Sequence, residues 1–296
     1  MRHDSRQDRH GSSRRSGKPL SSKPFSSKSF SSKPSSGKPF GRPGGRPGPR
    51  RGGPRDPNTA ILYGWHTVKA ALQNPQRRFH RILATEAAVR RLEDDGVQLP
   101  VAVTVARPDD IQAVAGAEAV HQGLYAEADA LEPPDLDDLV GAGGVVLALD
   151  QVTDPHNFGA ILRSAAAFSV AAVVTTERHS PGASGALAKA ASGALEYVPV
   201  VTVVNLARAL DDLRDLNSLI VGLDSDGAAD LGAEALRAPL TLVIGAEGKG
   251  LRQLTRARCD AIARLALPGR ITSLNVSNAT AVALYIATAR LKPEPS

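Results

Sequence analysis

The chain of 296 residues is long enough for one large domain or two smaller ones, each with its own core. It holds no apolar run of membrane-spanning length, no apolar segment behind its basic, serine-rich N-terminus and one cysteine, Cys259, which argues against a helical membrane protein, a secretory leader, an intrachain disulfide or a cysteine-based zinc site. The net charge of +6 is unevenly placed: the first 57 residues carry 15 Lys and Arg against three Asp, and the remaining 21 basic and 27 acidic side chains leave the rest of the chain net acidic.

A soluble cytoplasmic protein is the expectation, with Cys259 as a small buried apolar residue rather than a nucleophile. Any RNA contact outside the first 57 residues must come from a local patch, because the overall field there is acidic.

Residues 1–57 are low in complexity, with units such as Ser22-Lys23-Pro24-Phe25 and Gly41-Arg42-Pro43-Gly44. They hold too few apolar side chains to offset the entropy of ordering and read as a disordered basic arm. Scattered Phe25, Phe30 and Phe40 suit sequence-blind attachment to nucleic acid; a solubilising tail is the alternative.

Residues 58–130 read as a small α/β domain. The pattern predicts an apolar run over 60–65 leading into a helix over 66–72, a strand over 81–84, a helix over 87–95, a strand over 101–103 and a helix from Pro108 with acidic residues in its first turn. His121-Gln122-Gly123 is a glycine turn entering another strand. The run Arg77-Arg78-Phe79-His80-Arg81 sets basic side chains around one aromatic, which can pair phosphates and stack a base, or can be a solvated charged loop.

Residues 131–144, rich in Pro, Asp and Gly, read as a linker. From 145 onward, buried apolar strands alternate with helices: strands over 145–149, 171–174, 200–203, 219–221 and 242–244, helices over 158–168, 183–191 and 206–213. Such alternation means a mostly parallel sheet covered on both faces. Ligands bind these sheets beyond the strand C-termini, where the polar and glycine-rich stretches 150–157, 177–185, 245–250 and 268–277 fall.

Asn157 is positioned to cap the helix that carries Arg163 about one and a half turns later. Arg163 stands among Ala160, Ala165, Ala166 and Ala167, so it either forms a surface ion pair or has room to meet a ligand. Glu196 is either a solvated loop charge or the carboxylate that orients Arg163. Three glycines in Gly245-Ala246-Glu247-Gly248-Lys249-Gly250 let backbone amides approach a ligand. Glu247 opposes a phosphate there, Lys249 is out of frame for a P-loop, and the dinucleotide glycine pattern is missing from the first strand–helix turn. His66, His121, His156 and His179 have no metal-ligand spacing, and no nucleophile elbow is present, so no metal is expected.

Asp154-Pro155-His156-Asn157-Phe158-Gly159-Ala160-Ile161-Leu162-Arg163-Ser164-Ala165, the run from Leu242 to Leu251 and Ser273-Leu274-Asn275-Val276-Ser277-Asn278-Ala279 resemble, in order and spacing, the three motifs of the SpoU, or TrmH-like, branch of the SPOUT RNA 2′-O-ribose methyltransferases. The block Ser192-Gly193-Ala194-Leu195-Glu196 also matches. Residues 58–130 resemble the L30-like substrate-binding domain of the 23S rRNA guanosine subgroup. One departure stands out: the proline of Leu265-Ala266-Leu267-Pro268-Gly269 is displaced from its usual place before the third motif.

The resemblance implies an α/β methyltransferase domain over 145–296 with a trefoil knot, S-adenosylmethionine at the knot loops, and a homodimer with the site near its interface. It implies cofactor contacts from Gly245, Leu265 and Leu274, and a catalytic surround of Asn157, Arg163, Glu247, Ser273 and Asn275. On this reading Arg77, Arg78 and Arg81 hold the RNA, and the substrate is a guanosine ribose of 23S rRNA. The alternatives are a tRNA 2′-O-methyltransferase of the same fold and a catalytically silent RNA-binding or ribosome-assembly factor.

Overall fold

A computed structural model describes residues 59–141, 143–179, 185–271 and 273–291; the expected basic arm lies outside them. The two sheets described below belong to one compact unit. In the N-terminal half, the elements are β1 (Thr59–Tyr63), α1 (Trp65–Gln73), β2 (Phe79–Ala84), α2 (Glu86–Asp94), β3 (Val103–Val105), α3 (Pro108–Ala115) and β4 (Leu124–Asp129). The sheet order is β1-β4-β2-β3, with β4 antiparallel to both neighbours and β3 parallel to β2.

The period-2 alternation of strands sorts the side chains onto two faces. Leu62, Ile82, Ala84, Leu124 and Ala126 pack under α1 and α2, whereas Tyr63, Leu83 and Tyr125 pack against Ile111 of α3. The third strand runs two residues later than expected, because Ile82 pairs Val103 and so sets the register for the strand. The glycine turn is required by its backbone: Gly123 has φ +82°, and a Cβ there would lie 2.5 Å from Thr85 Oγ1.

The segment expected to be only a linker contains a short helix, α4 (Leu136–Gly141). Its Leu139 and Val140 are buried against the core of the sheet that follows, and that burial is what orders the turn. The C-terminal elements are β5 (Val145–Asp150), α5 (Pro155–Ala167), β6 (Ala172–Thr176), α6 (Gly185–Ala191), β7 (Val200–Val203), α7 (Leu206–Asp215), β8 (Leu219–Leu223), β9 (Ala229–Asp230), β10 (Leu240–Gly245), α8 (Gln253–Arg256), β11 (Ala261–Arg264) and α9 (Val276–Leu291).

These strands form a seven-stranded sheet of order β7-β6-β5-β10-β8-β11-β9, with every neighbouring pair parallel. Both faces are covered, which is why β5 and β6 are buried along their whole lengths. Leu147, Leu149, Val173, Leu242 and Ile244 meet α5, α6 and α9 on one face. Val146, Ala148, Val174, Ile220 and Val243 meet α4 and α7 on the other.

The chain proceeds outward from β5 to β6 and β7 on one side, while β10 joins β5 on the other. That makes the gap between β5 and β10 the point where strand order reverses, the favoured crevice of such sheets. The last strand, β11, lies beyond β8, and the chain then returns so that α9 packs on α5.

Candidate active site

The crevice at that reversal point is a cleft of about 460 Å³ lined by the loops after β5 and β10, Glu247 among their residues, together with Asn157 in the first turn of α5 and Val276 of α9. Helix α5 begins earlier than expected. Pro155 occupies its first turn, and Asp154 is the cap, its carboxylate accepting from the backbone N–H groups of His156 and Asn157 at 3.2 Å. Asn157 is therefore not the cap, and its side chain is left for another partner.

That partner is Asn275. Its Nδ2 donates to Asn157 Oδ1 and to Glu247 Oε2, each at 3.1 Å. Its Oδ1 accepts from the backbone N–H of Ser277 at 3.0 Å and from Ser277 Oγ at 2.7 Å. With the oxygen so engaged, the amide nitrogen must face Asn157 and Glu247. One amide thus joins three segments separated by 118 and 28 residues in the chain.

The glycine loop folds back on itself. Ala246 bridges Gly250, and Ala246 O accepts from Gly250 N at 3.0 Å. A Cβ on Gly245 would lie 2.3 Å from Gly250 C, so glycine is the residue that lets the loop close. Two aspartates missed in the sequence reading hold the back of this loop. Buried Asp150, the last residue of β5, accepts from Arg252 Nε at 2.6 Å and Arg252 N at 2.9 Å. Asp224 accepts from Arg256 Nη1 at 3.1 Å. A charged residue ending an otherwise apolar strand was the available signal for Asp150.

Arg163 is exposed on α5 and has no hydrogen-bond or ion-pair partner among the described residues. Ser273 is likewise exposed and unbonded among them, Leu274 is exposed, and Leu265 is half-buried against the core. Leu265, Ser273 and Leu274 lie in the segment between β11 and α9, and no hydrogen bond joins Arg163 to them among the described residues.

The expected RNA-binding arginines divide. Arg78 is exposed, and Arg81 is exposed with Glu127 at 4.0 Å. Arg77 does not belong with them: its side chain is 4% exposed and pairs with Glu196, itself 2% exposed, at 2.9 Å. Its Nη1 also donates to Asp129 O at 2.6 Å. Burial with every direction of the guanidinium committed leaves no face for RNA, so Arg77 is a structural residue. The same pair overturns both alternatives for Glu196, which is neither a solvated loop charge nor the partner of Arg163.

Among the described residues no helix is long and apolar enough to cross a membrane. Cys259 is half-buried, and burial pushes its thiol up to about 12.

Comparison with known proteins places these features in context. The model of the SpoU rRNA Methylase family matches residues 144–285, and that of the RNA 2′-O ribose methyltransferase substrate-binding domain matches 61–134. A 23S rRNA (guanosine-2′-O-)-methyltransferase RlmB from Ralstonia nicotianae is 38% identical over 244 residues, covering 80% of this chain and 98% of that protein. The corresponding RlmB from Xylella fastidiosa is 46% identical over 171 residues, covering 56% of this chain and 69% of that protein. Among solved structures, the SpoU methyltransferase AviRb from Streptomyces viridochromogenes in complex with AdoMet superposes with a TM-score of 0.68 at 21% identity, covering 79% of this chain and 90% of that one. An AdoMet-bound rRNA methyltransferase from Sinorhizobium meliloti gives 0.65 at 20%, covering 80% and 89%. These two likenesses are of fold.

Proposed function

This chain belongs to the SpoU rRNA methylase family, and from that premise we propose that it methylates the ribose 2′-hydroxyl of a guanosine in 23S rRNA, with S-adenosylmethionine as methyl donor. It is an RNA 2′-O-ribose methyltransferase, and with that substrate it works in the cytoplasm. The observation that carries the reading is the Asn275 amide, which ties the third motif to Asn157 of the first and Glu247 of the second at one cleft.

The residues present fit the cofactor. The cleft offers the Glu247 carboxylate, which favours a cation such as a sulfonium over a phosphate. Gly245 adjoins the cleft residue Ala246, and Leu274 lies two residues before the cleft residue Val276; with half-buried Leu265 they would hold the adenosyl portion. When bound, S-adenosylmethionine supplies an electrophilic methyl group.

The protein's own part is to align the 2′-oxygen and relieve it of its proton. A guanidinium is too weak a base to take the proton of a hydroxyl, so the role given to Arg163 is not that of the base. Exposed and without a hydrogen-bond or ion-pair partner among the described residues, it binds the phosphate beside the target ribose and stabilises developing negative charge on the 2′-oxygen; the proton leaves to a phosphate oxygen or water. Asn157, Glu247 and Asn275 keep the three loops at fixed separation, and Ser273 presents a hydroxyl at their rim. Arg78 and Arg81 supply phosphate contacts from the smaller sheet.

Two further features of the family reading have support. Val282 and Tyr285, three residues apart on α9, are exposed, as are Ile271 and Leu274 in the segment before it; a second copy of the chain would cover such apolar surface and complete a homodimer. The return from β11, beyond β8, to the Asn157 contact is the path expected of the trefoil knot. Stretching a single unfolded molecule would report that knot as an extension short of the full contour length.

The test of the activity is transfer of labelled methyl groups from S-adenosylmethionine to purified 23S rRNA and, in parallel, to tRNA, followed by nuclease mapping. Label on a guanosine ribose of 23S rRNA is expected; no label in either RNA overturns the proposal, and label confined to tRNA overturns the substrate.

A further inference from the structure

The buried Arg77–Glu196 pair joins the small substrate-binding domain to the catalytic domain across 119 residues of sequence. Arg77 Nε and Nη2 engage both carboxylate oxygens of Glu196 at 2.9 to 3.2 Å, and Asn74 Nδ2 donates to Oε2 at 2.8 Å. We propose that this pair is a positioning device: it fixes the orientation of the RNA-binding surface relative to Arg163, so that the distance between phosphate contacts and the reacting ribose is set by the protein rather than by a free linker. The inference rests on the proposed RNA methylation.

Adhesion alone does not account for the pair. Burying two charges is costly, and apolar side chains of similar volume would hold two domains together at least as well. What a forked guanidinium–carboxylate contact adds is direction, since both parallel bonds form in one relative orientation. The surrounding contacts are equally specific. Thr67 Oγ1 donates to Ala188 O at 3.0 Å in the buried junction. Gly193, with φ +87°, lets α1 approach so closely that a Cβ there would lie 2.6 Å from Ala70 Cβ.

The two ends of the device lead to the two functional surfaces. On one side, exposed Arg78 is the very next residue after buried Arg77, so the anchor holds the base of the segment that faces RNA. On the other side, Glu196 lies in a single 3-10 turn, Ala194–Glu196, directly after α6. Helix α6 packs tightly on α5, where a Cβ on Gly159 would lie 2.4 Å from Ala190 Cβ. Helix α5 carries Asn157 and Arg163. A rigid path thus runs from Arg78 through Arg77, Glu196 and α6 to the catalytic helix.

The test uses the full chain and two variants: Glu196→Gln, which keeps the shape and the Asn74 contact but removes the charge, and Arg77→Met/Glu196→Gln, which also removes the unpaired cation. Interdomain geometry is read from dipolar distances between spin labels at Arg90→Cys and Leu254→Cys in a Cys259→Ala background, diluted with unlabelled protein. The expected result is a broadened distance distribution in both variants, a KM for RNA raised about tenfold or more, and an S-adenosylmethionine dissociation constant within about twofold of wild type. A narrow, unshifted distribution in the double variant overturns the proposal, as does loss of cofactor affinity in step with RNA affinity, because the pair would then only support the catalytic fold. The distance measurement needs no substrate. Failure of methyl transfer by the unsubstituted protein would therefore sink the activity while the distances still judged the device.

Discussion

Asn275→Asp is the sharpest probe of the amide that joins the three loops. The replacement keeps the size of the side chain and the oxygen that accepts from Ser277. It exchanges the Nδ2 donor for a carboxylate oxygen that stands 3.1 Å from Glu247 Oε2. Two unit charges at that separation repel by about 1.3 kcal/mol even at the dielectric constant of water, and Glu247 is exposed enough for the water limit to apply. The charge-assisted hydrogen bond lost in the exchange is worth about 1.5 kcal/mol or more. Together these come to about 3 kcal/mol against the arrangement of the loops, or roughly a hundredfold in kcat/KM if that arrangement is what the reaction uses.

The pH dependence separates this reasoning from a general loss of structure. Two carboxylates this close raise the pKa of one of them. The repulsion is fully present above that raised value and is relieved as pH falls through it and the pair takes up a shared proton. The ratio of variant to wild-type rate therefore climbs as the medium is made more acidic. Asn275→Ala, which loses the hydrogen bonds without adding a charge, shows a deficit whose size does not change with pH. The assay is single-turnover transfer of labelled methyl to an rRNA fragment, from about pH 5.5 to about pH 8.5, with the wild type measured at every point. An Asn275→Asp rate within about threefold of wild type, or a ratio flat in pH, would refute the role assigned to the amide.

Other substitutions probe the remaining parts. Gly245→Ala forces a methyl group into the backbone of Gly250 and Leu251, so it should cost about 1–3 kcal/mol in chemical denaturation and weaken S-adenosylmethionine binding by calorimetry; unchanged affinity would remove the loop from the cofactor site. Arg163→Lys keeps the charge but loses the planar fork, so turnover should fall about tenfold or more with the cofactor affinity intact, and near-wild-type turnover would count against phosphate binding by a guanidinium. His121 accepts the Gly123 N–H through Nδ1 at 3.0 Å, and burial lowers its pKa. The unfolded chain then binds the proton more readily than the folded one, so stability is lost as pH falls from the ordinary histidine value through the lowered one; His121→Gln should flatten that part of a melting-temperature profile, and an identical profile would refute the assignment. Cys259, held up at about 12, should resist thiol alkylation in the native protein near neutral pH and react on unfolding; rapid stoichiometric labelling of the native state would contradict its burial.

What could be read without coordinates followed from how local each feature is. The alternation of apolar strands and helices, and the glycine loop with its acidic Glu247, are patterns within a few residues, and they appear within two or three residues of where the periodicity put them. The start of α5 was also local: Asp154-Pro155 is a cap followed by a first-turn proline, a stronger signal than the choice of Asn157. The helix inside 131–144 was less visible, because its aspartates and flanking prolines outweigh Leu139 and Val140 until a core is present to receive them. Sheet order was out of reach in principle, since nothing within the four residues of β11 states that they pair beyond β8.

Arg77 shows the limit most clearly. In sequence it is one of five consecutive residues with the chemistry of an RNA-binding loop, and its neighbour Arg78 does face outward. Which of two adjacent arginines turns inward depends on where a carboxylate waits, and that carboxylate is 119 residues away on the other domain. Propensity treats the two alike; only the cost of burying a charge without a partner distinguishes them, and that cost is defined by the assembled fold. If Arg78 meets RNA as proposed, Arg77 serves that surface from behind, as the anchor that holds its neighbour in place.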